Sequence, residues 1–291
     1  KSPVLSILFL LISVTLLAVP NDFRFRHFSV EDGLSSNSVR AIMQDKYGFL
    51  WIGTEEGLNR YDGIMIKSYS ICPQAAGKYI SSLYGTKKNI WIGTDEGIYI
   101  YAYATETFTY FDLTTPNNVR ITSIVNHILQ DKDGNLWFST NGQGLFRYNL
   151  SKNYLEQYEF TSAFGIVAST MADSDNQIWA LTNQGESGVY KLNKAENKFE
   201  PFGLLYNAGN HHSQALAMLE DSEQTLWLGT WECGLQKIDK YTRQTTTYLH
   251  PTDGKGVTHI HSLMEYAPHQ LLIGSDDGLL LFNTLTEEYK L

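Results

Sequence analysis

A tryptophan returns along this chain at nearly regular intervals, and the residues around it return with it. Trp51-Ile52-Gly53-Thr54 has counterparts at Trp91-Ile92-Gly93-Thr94, Trp137-Phe138-Ser139-Thr140, Trp179-Ala180-Leu181-Thr182, Trp227-Leu228-Gly229-Thr230 and Leu272-Ile273-Gly274-Ser275. Successive anchors lie 40, 46, 42, 48 and 45 residues apart. A unit of this length cannot bury an apolar face alone, so neighbouring units must stack. A period of roughly 40–50 residues with a Gly/aromatic motif in each unit is that of a β-propeller.

Each unit reads as four strands. In the first, the apolar run Val39-Arg40-Ala41-Ile42-Met43 leads to a turn cluster, Asp45-Lys46-Tyr47-Gly48, and then to the Trp strand. A polar loop ends at a Gly (Gly57, Gly97, Gly144, Gly188, Gly234, Gly278) and opens a third strand. A fourth, rich in aromatic and β-branched residues, follows, as in Ile64–Tyr69. The residue ten before the anchor is Ala41, Ser81, His127, Ser169, Ala217 or Ser262, small in all units but one. Small side chains fit innermost strands crowded round an axis. The expected fold is all-β, a propeller with blades at about Ser38–Ile71, Tyr79–Leu113, Ile121–Phe160, Phe164–Phe202, Ser213–Leu249 and Val257–Leu291.

Phe23-Arg24-Phe25-Arg26-His27-Phe28-Ser29 repeats the pattern of the fourth strand without a blade of its own. It reads as one strand of a seventh blade, whose other three strands would follow Leu291. Joining the two termini in one blade removes exposed sheet edges. Residues 1–20 hold an apolar run, Val4 to Val19, that reads as a signal peptide or membrane segment, leaving 21–291 as the incomplete propeller.

Composition narrows the partners. A net charge of −9 with no Lys/Arg cluster argues against a nucleic-acid groove. The two cysteines, Cys72 and Cys233, fall in different blades, so a bridge needing Cα atoms within ~7 Å is not expected. Asp131-Lys132-Asp133-Gly134-Asn135 has the look of a calcium loop. Its repeat counterparts vary between acidic and basic, as hairpin turns do, and no metal or cofactor is expected. Acidic pairs such as Glu55-Glu56 and Asp276-Asp277 likewise recur at turn positions and read as solvated. No catalytic motif is present.

Trp231 is the one Trp outside the repeat position, in a loop that shares a face with Asn210-His211-His212, Arg120, His259 and Gly254-Lys255-Gly256. Packing on the neighbouring blade is its simplest role; as a platform at a propeller mouth it would receive a sugar ring. Arg40, Asn126 and His261 occupy one inner-strand offset on that side, and His127 the next. With Trp231 they form the candidate ligand-binding set, offering hydrogen bonds to a neutral or weakly acidic saccharide. The plainer reading is that they satisfy loop carbonyls and water in the channel.

Asp32-Gly33-Leu34-Ser35-Ser36-Asn37-Ser38-Val39, Gln44-Asp45-Lys46-Tyr47-Gly48-Phe49-Leu50-Trp51-Ile52-Gly53-Thr54 and Gly57-Leu58-Asn59-Arg60-Tyr61-Asp62-Gly63 closely resemble the opening of the two-component regulator propellers. These are periplasmic sensor regions of hybrid histidine kinases of gut Bacteroidetes. Leu181 in place of Gly and Leu272 in place of Trp depart from the pattern. The resemblance implies a non-enzymatic, periplasmic sensor of oligosaccharides that controls glycan-utilisation genes. Its partners would be a second propeller and a β-sandwich of the same receptor, and a second copy of it. A secreted lyase or glycoside-acting enzyme is the alternative use of the architecture.

Overall fold

The computed structural model describes residues 25–71, 78–160, 165–182, 188–203, 205–206, 214–249, 257 and 259–290. It holds six antiparallel sheets, each of four strands in chain order. Blade one comprises Val39–Gln44, Leu50–Thr54, Gly57–Tyr61 and Ile66–Tyr69. The innermost strands of the others are Ile80–Gly85, Val125–Gln130, Val167–Ala172, Ala215–Glu220 and Ile260–Ala267. Blade five gains a fifth strand: Leu205–Tyr206 pairs in parallel with Gln244 and Thr245 on its outer edge. A two-residue strand inside a polar connection leaves no periodic signal, and the sequence reading does not contain it.

The core lies between blades. Trp51 packs with Ile80, Ile90 and Tyr101 of blade two. Trp91, Trp137, Trp179 and Trp227 join the apolar faces of blades three, four, five and six in the same manner. Opposing volumes match across each interface. A Cβ on Gly53 would lie 2.5 Å from Ile80, and one on Gly229 would lie 2.6 Å from Ile260. In blade four the position carries Leu181, and the residue opposite is Ala215, in one packed cluster. The departure from the repeat is therefore a large-for-small exchange across the interface.

The turn aspartates form hairpin turns, as the repeat pattern predicts, and they also hold the Trp residues. Trp51, Trp137, Trp179 and Trp227 donate their indole N–H groups to Asp45, Asp131, Asp173 and Asp221 at 2.7, 2.8, 3.0 and 2.7 Å. The other carboxylate oxygen takes turn amides, as Asp173 Oδ1 does from Asp175 and Gln177. Over each ring lies a cation from the third strand: Arg60, Arg147, Lys191 and Lys237. A hairpin turn thus anchors an interface. Blade two lacks both groups. Its hairpin is one residue shorter, so Ser82, not Ser81, pairs with Gly93 at the crowded inner position.

The Asp32–Ser38 segment docks on blade one. Ser35 N–H donates to Asn59 Oδ1 at 3.1 Å, and the buried Asn59 donates back to Ser35 Oγ at 2.8 Å. Phe25–Phe28 forms no strand; Phe28 lies against Tyr61, which also takes a hydrogen bond from Arg26. Phe23, Arg24, Cys72 and the leader fall outside the described residues.

Inner strands pack in sequence from blade one to blade six, with no comparable packing between six and one among the described residues. Leu279 is 42 % exposed, whereas its counterparts Leu58, Ile98, Leu145, Val189 and Leu235 are fully buried by the next blade. Ile42, on the rear of blade one, is 66 % exposed. The two end blades each keep an apolar face that the other blades bury.

Candidate functional site

The inner strand of every blade carries a bulge at the repeat-equivalent position. The register skips between Val39 and Ala41, Ile80 and Ser82, Val125 and His127, Val167 and Ser169, Ala215 and Ala217, and Ile260 and Ser262. Arg40, Asn126 and His261 are bulge residues, and a bulge re-aims the side chain it releases. Asn126 Nδ2 donates to Val167 O in blade four at 2.9 Å. Arg40 is ion-paired with Glu55 in its own blade. That contact raises the guanidinium pKa and lowers that of the carboxyl.

His261 has the corresponding partner in blade six. Its Nε2 meets Asp276 Oδ1 at 2.7 Å, and Asp276 stands where Glu55 stands in blade one. The other carboxylate oxygen holds His259 Nδ1. His259, backbone φ 47°, sits in the left-handed region and donates its N–H to Trp231 O at 3.1 Å. Its ring stacks on Trp231, centroids 3.8 Å apart at 26°, and His261 meets Trp231 edge-on at 6.3 Å. Trp231 remains 39 % exposed.

The electrostatics follow from hydrogen-bond chemistry. The imidazoles of His259 and then His261 hold the Asp276 carboxyl below the usual range. An ionised carboxylate only accepts, so each ring carries its proton on the nitrogen facing Asp276. His259 Nε2 and His261 Nδ1 are left for other partners. The cluster therefore combines an indole face, two ring nitrogens and a fixed negative charge, which suits a polar ring compound.

His127 contacts blade four. Its Nδ1 accepts the Thr170 N–H of blade four at 3.4 Å, and burial holds its pKa down to about 4. Among the described residues, no hydrogen bond or ion pair joins Arg40, Asn126, His127 and His261 to one another. The structure brings Trp231, His259 and His261 together and adds Asp276. Asp276 is missed in the sequence because its acidic neighbours at repeat-equivalent turns look alike; the signal is a cation or His fifteen residues earlier, as in Arg40/Glu55. Asn210, His211, His212 and Gly254–Gly256 lie outside the described residues. Among the described residues, no group of three or more His, Cys, Asp or Glu side chains is placed to hold a metal ion.

A family model described as the two component regulator propeller matches residues 33–56 and 119–142. The two matched stretches fall on blades one and three. A histidine kinase P4 of Formosa agariphila is 46% identical over 68 residues, which are 23% of this chain and 5% of that protein. The extracellular domain of a hybrid two component system from B. thetaiotaomicron matches with TM-score 0.75 and 23% identity, over 91% of this chain and 36% of that one. Virginiamycin B lyase from Staphylococcus aureus matches with TM-score 0.67 and 15% identity, over 87% of this chain and 83% of the lyase. At these identities the two solved structures show the fold. The chain spans about a third of the extracellular domain and a small fraction of the kinase. Among the described residues, no helix is long and apolar enough to cross a membrane.

Proposed function

We propose that this chain is an extracytoplasmic sensor propeller of a hybrid two-component receptor, periplasmic in place and without catalysis of its own. The observation that carries the reading is the family repeat in blades one and three. A seventh blade completes the ring in this reading, and the uncovered Leu279 and Ile42 faces support it. The ligand is an oligosaccharide released from a polysaccharide, and its response switches on glycan-utilisation genes. The Trp231–His259–His261–Asp276 cluster supports a ring-shaped polar ligand at the mouth. Arg40, Asn126 and His127 are the remaining members of the proposed set.

Calorimetric titration of the complete periplasmic region with oligosaccharides is the test. Binding that Trp231→Ala and Arg40→Ala each weaken at least tenfold, or ~1.4 kcal/mol, supports the mouth. Unchanged binding in both variants removes it. A gene that continues without a membrane segment or kinase overturns the receptor reading. A second reading, a secreted lyase, draws on one feature: Asp276 orients His259 so that Nε2 is free to act as a base. Turnover by the isolated chain, lost in His259→Ala, would favour it.

A further inference from the structure

The pattern that blades one, three, four and five share is broken in blade two, and the break opens a cleft. Where the other four place Arg or Lys opposite the Trp, blade two pairs Trp91 with Ile100. Where the others supply a turn Asp, the hairpin has Thr86, whose Oγ1 takes the Asn89 amide. The Trp91 indole N–H, on a side chain only 3 % exposed, has no acceptor among the described residues. Asn89 stands two residues before Trp91, as Asn135 does before Trp137. In blade three both side chains converge on Asp131 Oδ2, at 2.9 and 2.8 Å. Blade two keeps the two donors and lacks the oxygen they share.

In front of them lies a cleft of about 450 Å³ between blades two and three. Clefts of ~300–1,000 Å³ are the ordinary size for small-molecule sites. Trp91, Tyr110, Phe111 and Tyr148 make its aromatic lining, and Asn89 and Asn153 bring amides to it. Asp112, its one charged lining residue, is held by Arg120 at 2.7 Å.

We propose that this lateral cleft binds a pyranose, one of whose substituent oxygens takes the place of the missing carboxylate oxygen between Asn89 Nδ2 and Trp91 Nε1. Aromatic rings cover the apolar face of the sugar, and the amides meet its hydroxyls. The oxygen is either a neutral hydroxyl or the carboxylate of a uronic acid, both able to accept from two donors. The site is separate from the mouth and does not depend on the sensor reading.

The test is two-dimensional NMR of the tryptophan indole groups of the chain, with the Trp91 signal assigned by Trp91→Phe. Cellobiose serves as the neutral probe and glucuronic acid as the acidic one, each titrated into the millimolar range. The expected result is a saturable displacement of the Trp91 signal by at least one probe, the pair telling hydroxyl from carboxylate. Ile100→Lys restores the cation that four other blades tolerate and fills the cleft. It should weaken the response at least tenfold while the melting temperature is held. No displacement of the Trp91 signal by either probe overturns the proposal, as does an undiminished response in a folded Ile100→Lys variant.

Discussion

Trp137 and Asp131 are joined by an indole N–H···carboxylate hydrogen bond of 2.8 Å, made inside the interface between blades three and four. The same aspartate takes the backbone and side-chain N–H groups of Asn135. It is therefore a structural anchor as well as a turn former.

Asp131→Ala leaves the buried Trp137 N–H and the partly buried Asn135 donors without this partner. Each unsatisfied buried group costs about 1–3 kcal/mol, so a loss of about 3 kcal/mol is expected. Urea unfolding monitored by tryptophan fluorescence measures it. A change below about 0.5 kcal/mol, the range of an ordinary surface substitution, would mean that the turn is solvated after all.

Leu181 and Ala215 fill one interface by size exchange. Ala215→Ile overpacks it and should cost about 1–3 kcal/mol, while Leu181→Gly leaves a cavity worth about 3–5 kcal/mol. The double variant recreates the Gly53/Ile80 pairing of blade one with two. Its loss should be smaller than the sum of the two single losses by at least about 1 kcal/mol in a double-mutant cycle. Additive losses would show that the two side chains do not share the space.

Gly229 and Gly274 occupy the same place in successive blades but meet different surroundings. A Cβ on Gly229 strikes Ile260 of the next blade, whereas one on Gly274 meets only the Ser262 side chain of its own blade. Gly229→Ala should lower stability by about 1–3 kcal/mol, and Gly274→Ala by clearly less. Equal melting temperatures for the two variants would contradict an uncovered face on blade six.

His127 makes stability depend on pH. Its folded-state pKa is lowered from 6.5 to about 4 by burial. Between those values the unfolded chain binds a proton that the folded chain does not, so stability falls as pH drops from about 6.5 toward 4. The full span corresponds to up to about 3 kcal/mol. His127→Ser, with the residue found in other blades, should flatten this part of the profile in melting experiments at pH 7 and pH 4.5. A variant with the parental slope would place the titration elsewhere.

Trp, Gly and turn residues at a period of 40–48 determine the strand count, the blade order and the antiparallel pairing, because those depend on local alternation and on turns that any stacked unit needs. The small inner residues were legible for the same reason, apart from the one-residue shift at Ser82 that a shorter hairpin introduces. Pairing between blades was not legible. Leu181 against Ala215 and His259 stacked on Trp231 join residues 34 and 28 positions apart in chain segments whose relative placement depends on tertiary packing. Asp276 makes the contrast plain: as a residue it is one more acidic turn position, and only the fold puts two imidazoles on its carboxylate.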